Sequence, residues 1–442
     1  MTGSAQSGYT GRRSTMSTAP PRIVTKTVLA GAIGNALEWY DFALYGYFAP
    51  VFAALFFPSE YRSVSLISAF SVFAVGFFAR PLGALLFGYW GDTLGRREAL
   101  ARSVLFMALP TCLVGLLPTF ATIGIAAPIL LTCFRFLQGL SVGGEFTGSV
   151  TFLVEHAPPS QRGYTGSWAG FSAQMGALLG SGVTALVVLN VTDEALLQWA
   201  WRVPFLLGSV IAVMGWYLRT RIPESPAFEQ ARQEKALSSS PIHDVLTYQR
   251  RSTLQVIGLV WVHGVAFYLL YVYLTTYMVM VTAVSRGAVL VMNTISMTLL
   301  AILIPIMGRL SDRVGQKPLL VTGTAGLALT SYPLFAWLAA GDLPFMLAAQ
   351  TLLTVFVACY MGPFFATVVE LFPTAQRYTG LSLGYNLSSA LFGGTAPLIA
   401  TLLIEWTGNN LAPSLYLSLC AVISLGVVLT LPKESQPAAH RA

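Results

Sequence analysis

Runs of apolar residues, each long enough to cross a bilayer, alternate along this chain with short polar connections. A spanning helix needs about 20 apolar residues. Twelve stretches qualify: roughly 26–57, 64–90, 99–118, 122–156, 163–190, 199–220, 252–283, 287–307, 318–339, 343–372, 377–406 and 411–432. Several exceed the minimum, which predicts tilt or protrusion. The only long polar connection, about 221–251, is rich in Arg, Glu, Gln and Ser and is interrupted by Pro223, Pro226 and Pro241. The pattern predicts an all-α membrane protein of twelve transmembrane helices in two six-helix bundles. The first bundle is expected over 25–220 and the second over 252–432, joined by a cytoplasmic linker over 221–251. Polar tails, the first disordered, are expected over 1–24 and 433–442.

Composition agrees. The 442 residues are 55% hydrophobic and 10% charged, against about 25% charged in a soluble domain. Twenty of the 25 basic residues fall in the tails or in the loops that share the N-terminus's side. Three (Arg62, Arg202, Arg286) lie on the other side, and Arg80 and Arg135 lie within spans. The positive-inside rule then predicts a multi-pass plasma (inner) membrane protein with both termini cytoplasmic. Basic residues dispersed in this way do not make a nucleic-acid surface. Four scattered cysteines without CxxC spacing, and four histidines without a pattern, predict no metal site and no cofactor.

The first span carries the main chemical signal. Glu38 and Asp41 are three apart and Tyr45 follows four later, so all three share one helix face. An ionised acid at mid-membrane costs about 2.5–3.5 kcal/mol on insertion scales. Two on one face predict a wet cavity and a coupling role, because neighbouring acids in a poorly hydrated place favour sharing a proton. The plainer alternative is that both pair with basic residues and fix the fold. Arg135, near the middle third of span four, suits bidentate capture of a carboxylate; a permanent pair with Glu38 or Asp41 stands beside that reading. Glu145, ten residues on, is a second proton site or part of an inner gate, and Arg80 is expected to be structural. Span seven adds His263, Tyr268 and Tyr271. With Tyr45, Trp168, Gln174, Asn293, Tyr360 and Asn386 they form an expected polar lining for a solute.

The two halves repeat. Gly88-xxx-Asp92-xx-Gly95-Arg96-Arg97 after span two is echoed by Gly308-xxx-Asp312-Arg313-x-Gly315 after span eight. Glu155 and Arg162 are echoed by Glu370 and Arg377, seven apart in both copies. Such repeats build alternating-access transporters, with substrate held between the halves. Asp92, Arg96, Arg97, Glu155, Arg162, Asp312, Arg313, Glu370 and Arg377 are therefore expected to form a charge latch on the cytoplasmic side. Two GxSxG matches, at 139–143 and 380–384, lie inside helical spans and lack the strand-to-helix turn a hydrolase elbow needs.

The repeated loop signature resembles that of the major facilitator superfamily. Together with Glu38-Trp-Tyr-Asp41-Phe, Arg80-Pro81-Leu-Gly83, Arg135-Phe-Leu-Gln138-Gly139, Trp201-Arg202-Val-Pro204-Phe and Tyr385-Asn386-Leu, the chain from about 28 to 432 resembles its metabolite:proton symporter branch. That branch includes carriers of proline/betaine, 2-oxoglutarate, citrate and shikimate. The resemblance implies the pseudo-symmetric major facilitator fold, inward transport driven by protons, and a coupling role for Arg135. Thr93 stands where Arg is usual in the signature, and the C-terminal tail lacks the coiled coil of some osmosensing betaine carriers. The mid-depth arginine leads to the expectation of a proton-coupled importer of a mono- or dicarboxylate, working as a monomer. A zwitterion such as proline or a betaine, resting on Tyr or Trp faces, is the alternative. A membrane-embedded hydrolase or acyltransferase has no nucleophile–base pair to support it, and no phosphate-binding loop suggests ATP-driven pumping.

Overall fold

The computed structural model describes residues 35–36, 38–93, 96–155, 157–220, 247–372 and 377–432. The expected tails and most of the linker lie outside the described residues, as do the side chains of Asp92, Arg96, Arg97, Glu145 and Glu155. What is described is helical, as it must be where no water is present to satisfy backbone groups. Nine of the described helices are long and apolar enough to cross a membrane. The remaining three spans are interrupted or shorter. Span one is helical over 38–47, turns at Phe48 and resumes as Ala49–Phe56 with Pro50 in its first turn. Span three is Arg96–Leu116, and span six is a wide π-turn, Leu196–Ala200, leading into Arg202–Thr220.

Span two (Arg62–Thr93) packs along span four, which runs Ala126–Val142 and, after Gly143-Gly144, Glu145–Glu155. The glycines at 139 and 143 explain the closeness: a Cβ on Gly139 would overlap the Gly76 carbonyl, and one on Gly143 would meet the Arg80 and Gly83 backbone. The GxSxG spacing is therefore a helix-contact surface, the usual way spans approach without a hydrophobic drive between them.

The halves meet along spans five and eight (Arg162–Asn190 and Arg286–Val314) and along spans two and eleven. Span seven (Arg250–Val281) and span ten (Leu343–Glu370) are central, 89% and 83% buried along their most apolar stretches. Spans nine (Gln316–Ala339) and twelve (Ala412–Thr430), each 44% buried, face outward. Span seven widens into a π-turn at Tyr268–Tyr273, and span eleven does the same at Ser389–Gly393. The two spans come together at Gly264 and Gly393, where added Cβ atoms would meet the opposite backbone. Such turns re-aim side chains in mid-helix and recur at functional sites.

Candidate functional site

One turn of span one sends four side chains to four places. Glu38 faces span two, with Arg80 Nη2 3.8 Å from its Oε1. Trp39 faces the second half of the molecule. The Tyr40 hydroxyl donates to the Pro204 carbonyl of span six at 2.8 Å. Asp41 faces spans three and four.

Asp41 is the centre of a closed polar cluster. Its Oδ1 accepts from Thr111 Oγ1 at 2.6 Å and from Gln138 Nε2 at 3.1 Å, and its Oδ2 lies 3.5 Å from Arg135 Nη1. Arg135 Nη1 also donates to Gln138 Oε1 at 2.8 Å. The guanidinium plane is covered by Phe42 and Tyr45, whose centroids lie 4.4 and 4.6 Å away. Phe42 serves Arg80 as well, at 4.5 Å. Glu38, Asp41 and Tyr45 thus do not line a wet cavity: Asp41 and Tyr45 are buried within the first bundle, and the Glu38–Arg80 pair is buried against Tyr268 and Tyr385 of the second half. Arg80, expected to be structural, is the partner of Glu38. Tyr45 supports Arg135 and donates to the Ala69 carbonyl at 3.1 Å.

The cavity between the halves lies on span one's other face. It is lined by Trp39, Phe146, Gly170, Ala173, Gln174, His263, Phe267, Met361 and Phe365. Trp39 meets Phe267 and Phe146 edge-on (5.1 and 5.9 Å) and stacks toward Tyr268 at 6.1 Å. The His263 ring stacks on Phe364 at 4.3 Å. Both amide atoms of Gln174, the Trp39 indole N–H and His263 Nδ1 are buried without a hydrogen-bond partner in the described structure. Buried polar groups are normally satisfied, and these orphans belong to residues that line one cavity. The closed cavity has about 10 Å³ of room, enough for one water; a solute enters only when the walls part.

Two closures flank the cavity. At one end Tyr47 of span one donates to Met297 Sδ at 2.9 Å, and Asn293 Nδ2 points to Tyr47 Oη (3.3 Å) and the Tyr271 carbonyl (3.0 Å). Gln350 Nε2 donates to Asn293 Oδ1 at 3.1 Å, and Ser181 pairs with Thr294 at 2.8 Å. This knot joins spans one and five to seven, eight and ten. At the other end Asp312 accepts from the backbone N–H groups of Gly163 (2.7 Å) and Tyr164 (2.9 Å). A carboxylate of the second half thereby caps the first turn of span five, where helix N–H groups need an acceptor. Arg162 donates to Glu370 at 3.0 Å beside it, and Gln316 adds a 3.0 Å bond to the same carboxylate.

Of the expected lining, Gln174 and His263 line the cavity and Tyr268 borders it through Trp39. Tyr271 donates to Thr354 at 3.0 Å, and Asn293 belongs to the knot. Tyr360 donates to the Leu259 carbonyl at 2.6 Å within the second half. Asn386 crosses to the Gly143 carbonyl at 2.7 Å and ties the halves instead of facing solute. Trp168 is 37% exposed on the outside of the molecule, packed on Tyr164 and Phe171, and so cannot line the cavity. Of the expected latch, Arg162, Asp312 and Glu370 meet across the halves. Arg313 is exposed, and Arg377 donates to the Val369 and Phe372 carbonyls of its own half. Trp39, Phe146, Phe267, Met361 and Phe365 were not expected. Only Trp39 carried a usable signal, since two residues before Asp41 is the opposite face of the helix.

Twelve spans in two bundles with a small, mainly aromatic cavity between them fit a secondary transporter. Residues 27–240 match the sugar (and other) transporter family, and residues 282–442 match the major facilitator superfamily. A proline/betaine transporter of Salmonella typhimurium is 37% identical over 410 residues, which are 90% of this chain and 82% of that protein. A glycine betaine/proline/ectoine/pipecolic acid transporter of Dickeya dadantii is 36% identical, covering 90% and 81%. An ectoine/proline transporter of Corynebacterium glutamicum is 33% identical, covering 94% and 85%. The chain belongs to the major facilitator superfamily, in its metabolite:proton symporter branch. A solved proton:xylose symporter shares the fold, with a TM-score of 0.74 at 18% identity over 91% of this chain and 94% of that one. These relatives overturn the expected mono- or dicarboxylate cargo. The geometry gives the reason: Arg135, on which that expectation rested, is held by Asp41 and Gln138 and covered by two rings.

Proposed function

We propose that this protein carries a small zwitterion of the proline or betaine type into the cell together with protons, by alternating access. The observation that carries the reading is the central cavity. Aromatic walls from Trp39, Phe146, Phe267 and Phe365 suit a substituted ammonium group, which is attracted to ring faces and needs no counter-ion there. The unpartnered Gln174 amide and Trp39 N–H offer donors for the carboxylate at the other end of the same solute. No full charge stands in that cavity to unbalance a molecule of net zero charge.

Proton coupling resides in the Asp41–Arg135 cluster with Glu38–Arg80 beside it. Protonating Asp41 cancels its attraction for Arg135 and releases the bonds that hold span one against spans three and four. Trp39, two residues away on the same helix turn, moves with that span, so a proton on one face changes the cavity wall on the other. The Asp312 and Arg162–Glu370 latch closes the cytoplasmic end while the solute enters, and the Tyr47–Asn293 knot closes the outer end while it leaves. The bias of basic residues supports this orientation, with both termini inside. Each twelve-span chain holds a complete cavity and both closures, which supports a working monomer.

The test is uptake of labelled glycine betaine and proline by proteoliposomes. Accumulation driven by an inward proton gradient, and abolished when that gradient is dissipated, is the expected result. Failure to take up either solute, or uptake indifferent to the gradient, defeats the reading.

A further inference from the structure

A second cleft opens between the halves at the end away from the latch. Arg62 at the start of span two and Arg286 at the start of span eight line it from opposite halves, with Tyr47, Thr184 and Thr276 among its other walls. It has about 20 Å³ of room, twice that of the central cavity. The Thr276 side chain is 4% exposed, and its hydroxyl has no hydrogen-bond partner in the described structure. The charged residues lining the cleft are both arginines; Asp193 stands close enough to attract Arg286, and Arg62 close enough to repel it. The neighbouring Glu194 is engaged by Gln198 Nε2 at 2.9 Å.

We propose that this cleft is a carboxylate-capture site, formed by Arg62, Arg286 and the Thr276 hydroxyl, which takes the solute before the central cavity does. As a step for a zwitterion it rests on the function proposed above; as a carboxylate site it stands on its own geometry. Planar forks from two sides suit the two oxygens of one carboxylate. Tyr47 lines the cleft and is also the span-one member of the knot, through Met297 and Asn293. A solute held here therefore waits against the closure that must open for it. Capture at this point raises the local concentration of solute at the gate and leaves the aromatic cavity to choose among ammonium groups. The cleft's two arginines belong to different halves, so a carboxylate bridging them also favours the form in which the halves approach at this end.

The experiment uses the intact protein in proteoliposomes. Modification of Arg62 and Arg286 by phenylglyoxal is read by peptide mass spectrometry, with sodium acetate, glycine betaine or choline chloride present. Slower modification of both arginines with acetate and glycine betaine, and no slowing with choline chloride, is the expected result. Equal modification in all three overturns the site, whatever the transport assay gives. In uptake, Arg62→Gln and Arg286→Gln raise the KM for glycine betaine about 5- to 20-fold with kcat within about twofold, and Thr276→Val raises it less. Arg286→Lys keeps the charge without the fork and falls between. Unchanged KM in both Gln variants also overturns the site. Absence of any glycine betaine uptake by the unmutated protein defeats the proposed function instead, and acetate protection then decides the cleft by itself.

Discussion

Arg80 and Arg135, two guanidinium groups buried in the first bundle, share one aromatic ring: Phe42 lies 4.5 Å from the first and 4.4 Å from the second. Each arginine also has an acid of span one beside it, Glu38 for Arg80 and Asp41 for Arg135. Two like charges are thus held together by a ring and two carboxylates on a single helix. A desolvated cation–π contact is worth about 2 kcal/mol. Replacing the ring removes two such contacts without touching an ionisable group. Phe42→Leu should lower the melting temperature of the purified protein and reduce proton-driven accumulation more than it reduces exchange. Unaltered accumulation with normal stability would show that the ring is packing alone.

The acids themselves give a sharper expectation. Asp41→Asn keeps an acceptor for Thr111 and Gln138 but cannot take up and release a proton. Accumulation against a gradient should be lost while solute exchange across the membrane persists, and Glu38→Gln should show the same split more weakly. Full accumulation by both variants would remove the coupling assignment. Arg135→Lys keeps the charge and loses the plane stacked between Phe42 and Tyr45, so it should impair accumulation with little change in the KM for solute.

In the cavity, Trp39→Leu removes the ring that reaches across to Phe267 and Tyr268, whereas Trp39→Phe keeps a face and loses the N–H. Loss of about 1.4 kcal/mol of binding is tenfold in affinity. The expected KM for glycine betaine is therefore about tenfold higher or more in Trp39→Leu, with Trp39→Phe recovering part of it. Gln174→Leu should match Trp39→Leu, because it removes the cavity's amide donor. Equal KM values across the three variants and the unmutated protein would place binding elsewhere.

The latch predicts a shift in population. Asp312→Asn removes a charge from a helix N-terminus, an interaction worth about 0.5–1 kcal/mol. That is about a two- to fivefold change in the ratio of closed to open forms at this end. Combined with Met361→Cys in the cavity wall, it should raise the rate of thiol labelling from the latch side by that factor. Arg162→Gln should act in the same direction and more weakly, since the Arg162–Glu370 pair is half-exposed and such pairs contribute at most about 1 kcal/mol.

Repeated membrane crossing, construction from two related halves, and acids in span one that a bilayer does not accept idly are all legible along the chain. Apolar length, the duplicated Gly-Asp loops and the depth of Glu38, Asp41 and Arg135 are all local or periodic properties, so they can be read along one dimension. Which acid meets which arginine was not readable, because Arg80 and Arg135 lie on different spans and only the packing of those spans against span one sets Arg80 beside Glu38 and Arg135 beside Asp41. Nor was the cavity. Trp39 and Trp168 are both tryptophans in apolar spans, yet one faces the seam between the halves and the other faces outward. That difference depends on how each helix is rotated about its own axis, and neighbouring helices set that rotation through close contacts such as Gly139 on Gly76 and Gly176 on Ala36. The capping of span five by Asp312 has the same origin. The residues are 149 apart in sequence, and only closure of the two halves brings a carboxylate to a helix end that lacks an acceptor of its own.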